Sequence, residues 1–451
     1  MDYKNKKVMV VGMAKSGVAC ALLLKKQGAD VVLNDSKKLS EFDKKTQKLF
    51  ISMTAKMFLG SSPIDYIKNL DMLVLSPGVP PKLDFIQKAY GLNIDVIAEM
   101  ELGFRHASGD IVAITGTNGK TTSTALAGMM FENEGRRTHI LGNIGVPFAK
   151  MALETNDGDI IVLESAALQL ETIVDFKPKV SAVLNITEDH LDRFLTMSYY
   201  IECKELIFKN QDENDYCVLN YDNEITRSIA TRVKAKVVWF SRKKICDYGA
   251  FLKGDDIIFN DHGKQTFIIN KNDVTIPGDH NIENALACCA MAFVCGVSAD
   301  VIKETLFAFG GVEHRIEFVK KVDGIRYIND SKGTNPDATI HAIHAMADPT
   351  VLILGGYDKK SDFDELFDAF TDQIISVVAI GETIDNLLRS AKKSGFTNIV
   401  TARSFDEAVM IAKETAKDGY NVLLSPACAS YDMFLNFEVR GERFKKIVHS
   451  L

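Results

Sequence analysis

One segment constrains the fold of this chain more than any other. An apolar stretch runs into a loop with two glycines and then into Lys-Thr-Thr, in the order Asp110-Ile-Val-Ala-Ile-Thr-Gly-Thr-Asn-Gly-Lys-Thr-Thr122. The apolar stretch predicts a β-strand, and the residues from Thr121 to about Glu134 predict a helix that ends at Gly135. Backbone N–H groups in such a loop and at the start of such a helix can surround phosphate oxygens. The segment therefore predicts an α/β fold with a nucleotide-triphosphate site.

The loop has the residue types that phosphate binding needs. Gly116 and Gly119 let the backbone turn closely around phosphate oxygens, and Lys120 supplies a positive charge for the outer phosphates. The hydroxyl of Thr121 can hold Mg²⁺. Ile114 stands where the usual motif has its first glycine, so the loop is a variant of that motif. A glycine turn with a purely structural role is the alternative interpretation.

Composition limits the possible partners. The length of 451 residues predicts about three domains, each large enough to bury its own core. The net charge is −7 and no basic patch stands out, so we expect no nucleic-acid partner. The eight cysteines contain no Cys-x-x-Cys pair, which is typical of reduced thiols in the cytoplasm. No apolar segment reaches membrane-spanning length, so we expect no membrane partner. The cysteine usage favours the cytoplasm, and we also expect a monomer.

Three α/β blocks follow one another along the chain, and we place the domains at residues 1–98, 99–310 and 311–451. Strands and helical segments alternate in each block, which indicates parallel sheets. The strands of the first block are predicted at Lys7–Val11, Asp30–Leu33 and Asp71–Leu75. Besides the phosphate loop, the second block has strands at Asp159–Leu163 and Ala182–Ile186 and a β-rich part from Tyr216 to Ile276. The third has strands at Val351–Leu354, Ser376–Ile380 and Val422–Leu424 and a helical stretch at Ser404–Lys417.

The first block contains a glycine turn that resembles a dinucleotide-binding fingerprint. Gly12 and Gly17 flank the turn, and Asp35 ends the second strand, but Ala14 stands where the fingerprint has its middle glycine. Three interpretations stay open for this turn: an NAD site, a site for another anionic ligand at the helix N-terminus, and a role in packing alone.

Polar residues follow neighbouring strands of the second block. Glu164 follows one predicted strand and Glu188-Asp189-His190 follows the next. Ligands of open parallel sheets bind beyond the carboxyl ends of the strands, and a carboxylate and an imidazole there could hold Mg²⁺ beside a triphosphate. The alternatives are a solvated strand end for Glu164 and an ordinary loop histidine for His190. Lys204, taken alone, is typical of an exposed lysine on a helix.

Further polar residues stand at predicted loops and helix starts. Asn281 and Asn284 open an alanine- and cysteine-rich helix, where their amides could contact a base edge, although Asn281 is also a natural N-cap. The third block places donors and a carboxylate at loop positions, namely His314-Arg315, Asn329-Asp-Ser-Lys332 and Thr334-Asn-Pro336. Ser430 lies near the chain's last predicted strand end, where its hydroxyl could donate to an anion.

These motifs together resemble the Mur ligases of peptidoglycan synthesis. The motifs that carry the resemblance occur in order over nearly the whole chain: Thr115–Thr122, Asn185–His190, Gly278–Asn284, Asn329–Lys332 and Ser425–Ser430. The resemblance implies an α/β protein with a Rossmann-like N-terminal domain that binds UDP, a P-loop-type central ATPase domain and a Rossmann-like C-terminal domain that binds an amino acid. Asn118, the Ser425–Ser430 motif and the segment Phe437–Gly441 favour the family member that adds D-glutamate to UDP-N-acetylmuramoyl-L-alanine.

The resemblance also implies a mechanism and its catalytic residues. ATP phosphorylates the carboxylate of the UDP-linked substrate, and the amine of D-glutamate then displaces phosphate from the acyl phosphate. Lys120, Glu164, His190 and Lys204 would be catalytic. Two Mg²⁺ ions are expected, with ligands from Thr121, Glu164, His190 and Lys204, and Lys204 corresponds to a carbamylated lysine of the family.

The remaining contacts are implied position by position. ATP would be bound by Gly116, Thr117, Asn118, Gly119, Lys120, Thr121, Thr122, Asn281, Asn284, Arg315 and Asp330. The UDP-sugar would be bound by Asp35, Ser36, Ser76, Pro77, Gly78 and Asn143. D-Glutamate or the product would be bound by Lys332, Thr334, Lys359, Ser430 and Phe437, with Lys359 chosen over Lys360 by counting from the preceding glycines. The chain departs from the family at Ala166-Ala-Leu-Gln-Leu170, where the family usually has Ser-Ser-Phe-Gln-Leu.

Two other functions compete with an ATP-dependent ligase. An NAD-dependent oxidoreductase would use the turn at Gly12–Gly17, but Ala14 argues against it. A non-catalytic nucleotide switch would bind ATP and recruit a partner protein, but it leaves the anion-binding loops of the third block unexplained.

Overall fold

The computed structural model describes residues 3–143, 145–189, 191–276 and 278–451. Two compact units can be distinguished by their internal contacts. Unit 1 comprises residues 1–186, 198–269 and 286–305, and unit 2 comprises residues 187–197, 270–285 and 306–451. The α/β class is confirmed by three sheets with helices between their strands. The predicted domain limits at residues 98 and 310 remain a prediction.

The N-terminal sheet is parallel and lies in unit 1. Its order is β3-β2-β1-β4-β5, with β1 (Lys7–Val11), β2 (Asp30–Asp35), β3 (Lys56–Leu59), β4 (Met72–Leu75) and β5 (Asp95–Ala98). The accompanying helices are α1 (Lys15–Lys26), α2 (Lys44–Ser52), α3 (Asp84–Gly91) and α4 (Glu99–Phe104). Val8 and Val10 belong to one apolar cluster and Met9 and Val11 to another, so both faces of β1 are covered. The three predicted strands are confirmed to within two residues, whereas β3 and β5 were not predicted.

The central sheet has the order β14-β13-β12-β11-β10-β9-β6-β8-β7. Its strands are β6 (Asp110–Thr115), β7 (Thr138–Gly142), β8 (Ile160–Glu164), β9 (Val180–Val183), β10 (Tyr216–Asn220), β11 (Lys236–Ser241), β12 (Tyr248–Lys253), β13 (Asp256–Asp261) and β14 (Lys264–Asn270). The helices of this part of the chain are α5 (Lys120–Asn133), α6 (Phe148–Met151), α7 (Ala167–Leu170), α8 (Leu191–Phe194), α9 (Met197–Glu205), α10 (Glu224–Ile229), α11 (Asp279–Val294) and α12 (Ala299–Ala308). Strand β6 pairs in parallel with both β8 and β9, so the loop that follows it leaves the interior of the sheet.

The C-terminal sheet lies in unit 2 and has the order β15-β16-β20-β17-β18-β19. Its strands are β15 (Glu317–Val322), β16 (Ile325–Asn329), β17 (Thr350–Gly355), β18 (Ile374–Ile380), β19 (Ile399–Thr401) and β20 (Asn421–Leu424), and its helices are α13 (Pro336–His344), α14 (Asp364–Asp368), α15 (Ile384–Ser394), α16 (Phe405–Thr415) and α17 (Phe437–Ser450). The hairpin β15–β16 is antiparallel and was not predicted. Its two-residue turn is Asp323-Gly324, in which both residues have positive φ.

Two other expectations concern the chain as a whole. The cysteines are reduced thiols and most of them are buried, as predicted. Within the described residues, none of the helices combines the length and apolar character that crossing a lipid bilayer requires.

The turn before α1 depends on a glycine that no other residue can replace without a clash. A Cβ atom at Gly17 would lie 1.8 Å from the carbonyl oxygen of Gly12. The hydroxyl of Ser76 donates to the same carbonyl at 2.6 Å. The close approach of α1 to this carbonyl therefore joins the glycine turn to the end of β4.

We predict that Gly17→Ala lowers the thermal unfolding midpoint, because the added methyl group must displace Gly12 and Ser76. Such overpacking costs about 1–3 kcal/mol. Differential scanning fluorimetry can compare this variant with Gly91→Ala in α3, where a Cβ atom would meet no atom within 4 Å. Equal midpoints for the two variants would contradict the prediction.

Candidate active site

The phosphate loop of unit 1 has the backbone conformation that its glycines predict. Gly116 and Gly119 have φ angles of 156° and 84°, which residues other than glycine rarely adopt. Thr117 N donates to the carbonyl of Asn185 at 2.9 Å, and Asn118 N donates to the Asn185 side chain at 2.8 Å. These two hydrogen bonds fix the loop against Asn185, which follows β9.

Two lysine side chains converge on one carbonyl oxygen of this loop. Lys120 Nζ donates to the carbonyls of Gly116 and Thr117, both at 2.8 Å. Lys204 Nζ in α9 donates to the same Gly116 carbonyl at 2.7 Å. Lys204 is only 1% exposed, so the interpretation as a surface lysine is wrong. Two ammonium groups that share one acceptor repel each other, and burial strengthens the repulsion.

Glu164 lies beside the phosphate loop, because β8 pairs Glu164 with Ile114 of β6. Its side chain is 1% exposed, so the alternative of a solvated strand end is also wrong. The Asn143 side chain donates to Oε1 at 2.9 Å, whereas Oε2 is buried and has no hydrogen-bond partner among the described residues. A buried carboxylate oxygen without a partner is unfavourable, and a bound cation would satisfy it.

Other predicted residues near the loop have the following positions. Thr121 and Thr122 lie in the first turn of α5, half-buried and buried respectively. His190, the other predicted metal ligand, lies outside the described residues. In the segment Ala166–Leu170, the Gln169 side chain accepts from Ala166 N at 2.9 Å and so caps the start of α7. The two serine hydroxyls that the family usually has in this segment are replaced by alanines.

A cavity of about 690 Å³ lies at the carboxyl ends of β1, β2 and β4. Its lining includes the predicted residues Asp35, Ser36, Ser76 and Gly78, and Pro77 lies between the last two in the chain. The Asp35 carboxylate accepts from Met13 N at 2.6 Å and from Lys37 N at 2.9 Å. Asp35 therefore fixes the glycine turn by accepting from a backbone N–H group. Asn143 contacts Glu164 instead and is not in the lining of this cavity.

Sequence reasoning missed part of the lining in this region. Asn34, Ser61 and Ser62 also line the first cavity. A second cavity of about 930 Å³ lies beside α1 and α2, and Lys15, Lys37 and Lys45 are in its lining. The adjacency of Asn34 to Asp35 at a strand end was an available sequence signal, whereas the lysines are scattered along the chain.

In unit 2, Arg315 and Asp330 form the core of a polar cluster. Asp330 is fully buried, and its Oδ1 lies 3.9 Å from Arg315 Nη1. Ile316 N donates to Oδ1 at 3.2 Å, and the Ser425 hydroxyl donates to Oδ2 at 2.7 Å. Burial raises the pKa of Asp330 to about 6, although the charge of Arg315 opposes this shift.

Two asparagines of unit 2 form a buried pair. Helix α11 begins at Asp279, so Asn281 lies inside its first turn and the N-cap interpretation is wrong. Asn284 Nδ2 donates to Asn281 Oδ1 at 3.1 Å, and both residues are buried.

The residues predicted for amino-acid binding lie on neighbouring loops of unit 2. Lys332 Nζ lies 5.2 Å from the centre of the Phe437 ring, and Thr334 N donates to the Lys332 carbonyl at 2.8 Å. Lys359 is 14% exposed on its side chain and its Nζ lies 4.0 Å from Asp189, whereas Lys360 is exposed. The buried Ser430 follows Ala429, whose carbonyl accepts from Tyr357 N at 2.9 Å.

Comparisons with known proteins agree over the full length. Three family models match: "Mur ligase MurD-like, N-terminal domain" at residues 6–98, "Mur ligase middle domain" at 114–292 and "Mur ligase, glutamate ligase domain" at 314–428. The chain is 48% identical to UDP-N-acetylmuramoylalanine–D-glutamate ligase of Alkaliphilus oremlandii, with 100% of both proteins covered. It is 46% identical to the ligase of the same name from Clostridioides difficile, again with 100% of both covered.

Solved structures show the same fold at lower identity. UDP-N-acetylmuramate-alanine ligase from Thermotoga maritima is 18% identical with a TM-score of 0.62, and the match covers 99% of this chain and 100% of that one. MurF ligase from Thermotoga maritima in complex with ADP is 17% identical with a TM-score of 0.60, over 100% of this chain and 96% of that one.

We predict that Asp330→Asn removes a pH dependence of stability. The folded-state pKa of about 6 exceeds that of the unfolded chain, so the wild type gains stability as the pH falls from about 7 to about 4. The gain over this range is about 2 kcal/mol by linkage, and it is lost as the pH rises through the folded pKa.

Urea unfolding of both proteins between pH 4 and 7 measures this effect. The wild type should become more stable relative to Asp330→Asn as the pH falls, and other titrating groups should cancel in the difference. A difference that stays constant with pH would contradict the prediction.

Proposed function

Because the chain belongs to the Mur ligase family, we propose that it is the ATP-dependent ligase that joins D-glutamate to UDP-N-acetylmuramoyl-L-alanine. The observation that carries this proposal is that relatives similar over their whole length bear the name of that ligase. Enzymes of this family form amide bonds at the expense of ATP, and the phosphate loop at Gly116–Thr122 supplies the expected place for the triphosphate.

The reaction has two chemical steps. The γ-phosphoryl group of ATP moves to the carboxylate of the muramoyl-alanine substrate, which gives an acyl phosphate and ADP. The amine of D-glutamate then attacks the acyl carbon, the amide bond forms, and inorganic phosphate leaves. Catalysis of such a transfer depends mainly on positioning and on charge stabilisation.

Several side chains provide these two contributions. Two backbone carbonyls hold Lys120 at the loop, which supports its assignment to the triphosphate. We assign ATP contacts to the α5 start and to Asn281, Asn284, Arg315 and Asp330. The cavity at β1, β2 and β4 is assigned to the UDP-sugar, and the loops with Lys332, Thr334, Lys359, Ser430 and Phe437 are assigned to D-glutamate.

The metal site is proposed from the donor set. Thr121, Glu164, His190 and a carbamylated Lys204 would hold two Mg²⁺ ions, which when bound neutralise charge on the transferred phosphoryl group. The buried Oε2 of Glu164, which has no hydrogen-bond partner among the described residues, fits this role.

Carbamylation of Lys204 would also remove an electrostatic conflict. The modification turns a cation into an anion with oxygen ligands, and the carbamate nitrogen keeps an N–H group for the Gly116 carbonyl. The repulsion between Lys120 and Lys204 at that carbonyl would become an attraction. We further propose a cytoplasmic monomer, consistent with the reduced, mostly buried cysteines.

We expect purified enzyme with ATP, Mg²⁺ and UDP-N-acetylmuramoyl-L-alanine to release phosphate only when D-glutamate is present. A panel of amino acids, including L-glutamate, L-alanine and D-alanine, separates this enzyme from neighbouring ligases of the family. Slow hydrolysis that ignores the amino acid would instead favour a nucleotide switch. A change in NADH fluorescence on binding would favour the oxidoreductase.

We predict that Lys204→Ala lowers the ligation rate by roughly 10²–10³-fold, which is typical for loss of one group that stabilises charge in a transition state. Added bicarbonate should not restore activity, because no amine remains to be carbamylated. Lys209→Ala, which alters an exposed lysine just after α9, is the matched control and should keep wild-type activity. With ¹³C-bicarbonate, the wild type should show a carbamate resonance that Lys204→Ala lacks.

A further inference from the structure

Arg440 in α17 is a buried arginine that the proposed mechanism does not use. Its side chain is 1% exposed. Its guanidinium donates to the Ser331 hydroxyl at 3.0 Å and to the Ser331 carbonyl at 2.8 Å. It also donates to the carbonyls of Cys428 at 3.0 Å and Ala429 at 3.2 Å. One side chain thus bonds two loops that are about one hundred residues apart in the chain.

Both loops carry residues that are assigned to D-glutamate. Lys332 follows Ser331 directly, and Ser430 follows Ala429. A peptide group is planar, so bonding the carbonyl of Ala429 to Arg440 also fixes the direction of the Ser430 N–H group. The Ser331 hydroxyl donates in turn to the carbonyl of Phe437 at 2.8 Å, which ties a third assigned residue to the same network.

The loop after β20 needs such support. Ala427 has a φ angle of 58°, a left-handed conformation that is unfavourable for a residue with a Cβ atom. Gly356 packs directly on this loop, since a Cβ atom there would lie 2.3 Å from the Ala429 carbonyl oxygen and 3.3 Å from Arg440 Nη1. Contacts with the surrounding residues therefore stabilise a loop conformation that its own residues do not favour.

The arrangement is unfavourable for stability alone. Among the described residues, the hydrogen bonds of Arg440 go to carbonyls and one hydroxyl rather than to a carboxylate, and burial lowers its pKa to about 10. The charges of Asp330 and Asp432 oppose this shift only in part. Burying an arginine costs desolvation free energy, and an apolar side chain of similar volume often stabilises a fold as well or better. Only a planar guanidinium can direct several N–H groups at acceptors on two loops, because the donors of a lysine radiate from one nitrogen.

We propose that Arg440 is a positioning residue that sets the affinity for the incoming D-glutamate by fixing the loops of Lys332 and Ser430 relative to each other. This inference rests on the proposed function. Arg440 does not touch the amino acid in this assignment. It acts through the residues that follow its hydrogen-bond acceptors.

Steady-state kinetics of Arg440→Lys tests the proposal. We expect the KM for D-glutamate to rise about 10- to 100-fold, because small displacements of binding groups have effects of this size. The KM values for ATP and UDP-N-acetylmuramoyl-L-alanine should stay within about twofold of the wild type, because only the binding of D-glutamate is weakened. The matched control is Arg443→Lys, one turn further along α17, where the arginine bonds Asp406 instead of a loop. It should keep all three KM values.

A second variant keeps the test decisive if Arg440→Lys does not fold. Ser331→Ala removes the acceptor of Arg440 Nε and the bond to Phe437, and it should raise the same KM by a smaller factor. In the double variant the two effects should not multiply, because both break one network.

The proposal would be overturned if either folded variant kept the wild-type KM for D-glutamate, whether kcat fell, as a purely structural role would give, or stayed the same. Failure of the proposed function is distinct, since the wild type would then lack D-glutamate-dependent phosphate release.

Discussion

The carbonyl oxygen of Gly116 accepts hydrogen bonds from both Lys120 and Lys204, and three elements of unit 1 meet at this contact. Strand β6 lies inside the central sheet and leads into the loop. Lys120 is the first residue of α5, and Lys204, which is 88 residues from Gly116 in the chain, belongs to α9. Two positive side chains at one oxygen repel each other, so a negative charge nearby would stabilise the arrangement. Glu164 lies beside this loop, and its buried Oε2 has no hydrogen-bond partner among the described residues, which supports the proposed metal site.

Much of the fold and of the family assignment could be predicted from the sequence. The phosphate loop, the parallel strands around it and the glycine turn of the first block depend on local chemistry, namely apolar runs, glycines with positive φ and helix ends. These features can be predicted from the sequence because each depends on only a few consecutive residues. The prediction that the chain is a Mur ligase is confirmed by the matching family models. It could be made from the sequence because the motifs are short and occur in order.

The failures have physical reasons as well. Taken alone, Lys204 is typical of an exposed lysine on a mixed-polarity helix, and only the resemblance assigned it to the site. Its burial involves a carbonyl that is 88 residues away, which local sequence cannot reveal. The N-cap alternative for Asn281 is wrong, because the helix already starts at Asp279, two residues before Asn281. The hairpin at Asp323-Gly324 was missed although this dipeptide favours a tight turn, because β15 has a weak alternation of apolar residues. Arg440 could be noticed in a motif, but its acceptors are backbone groups that no sequence pattern reveals.

The antiparallel hairpin of unit 2 also affects how copies of this protein meet in solution. Strand β15 is one edge of the C-terminal sheet, and its pairing is irregular between Phe318 and Lys320, with Lys320 and Lys321 on the outer strand. The opposite edge, β19, is only three residues long. Irregular, charged or short edges are poor templates for a strand from a neighbour. Aggregation through open sheet edges is therefore disfavoured at both sides of this sheet.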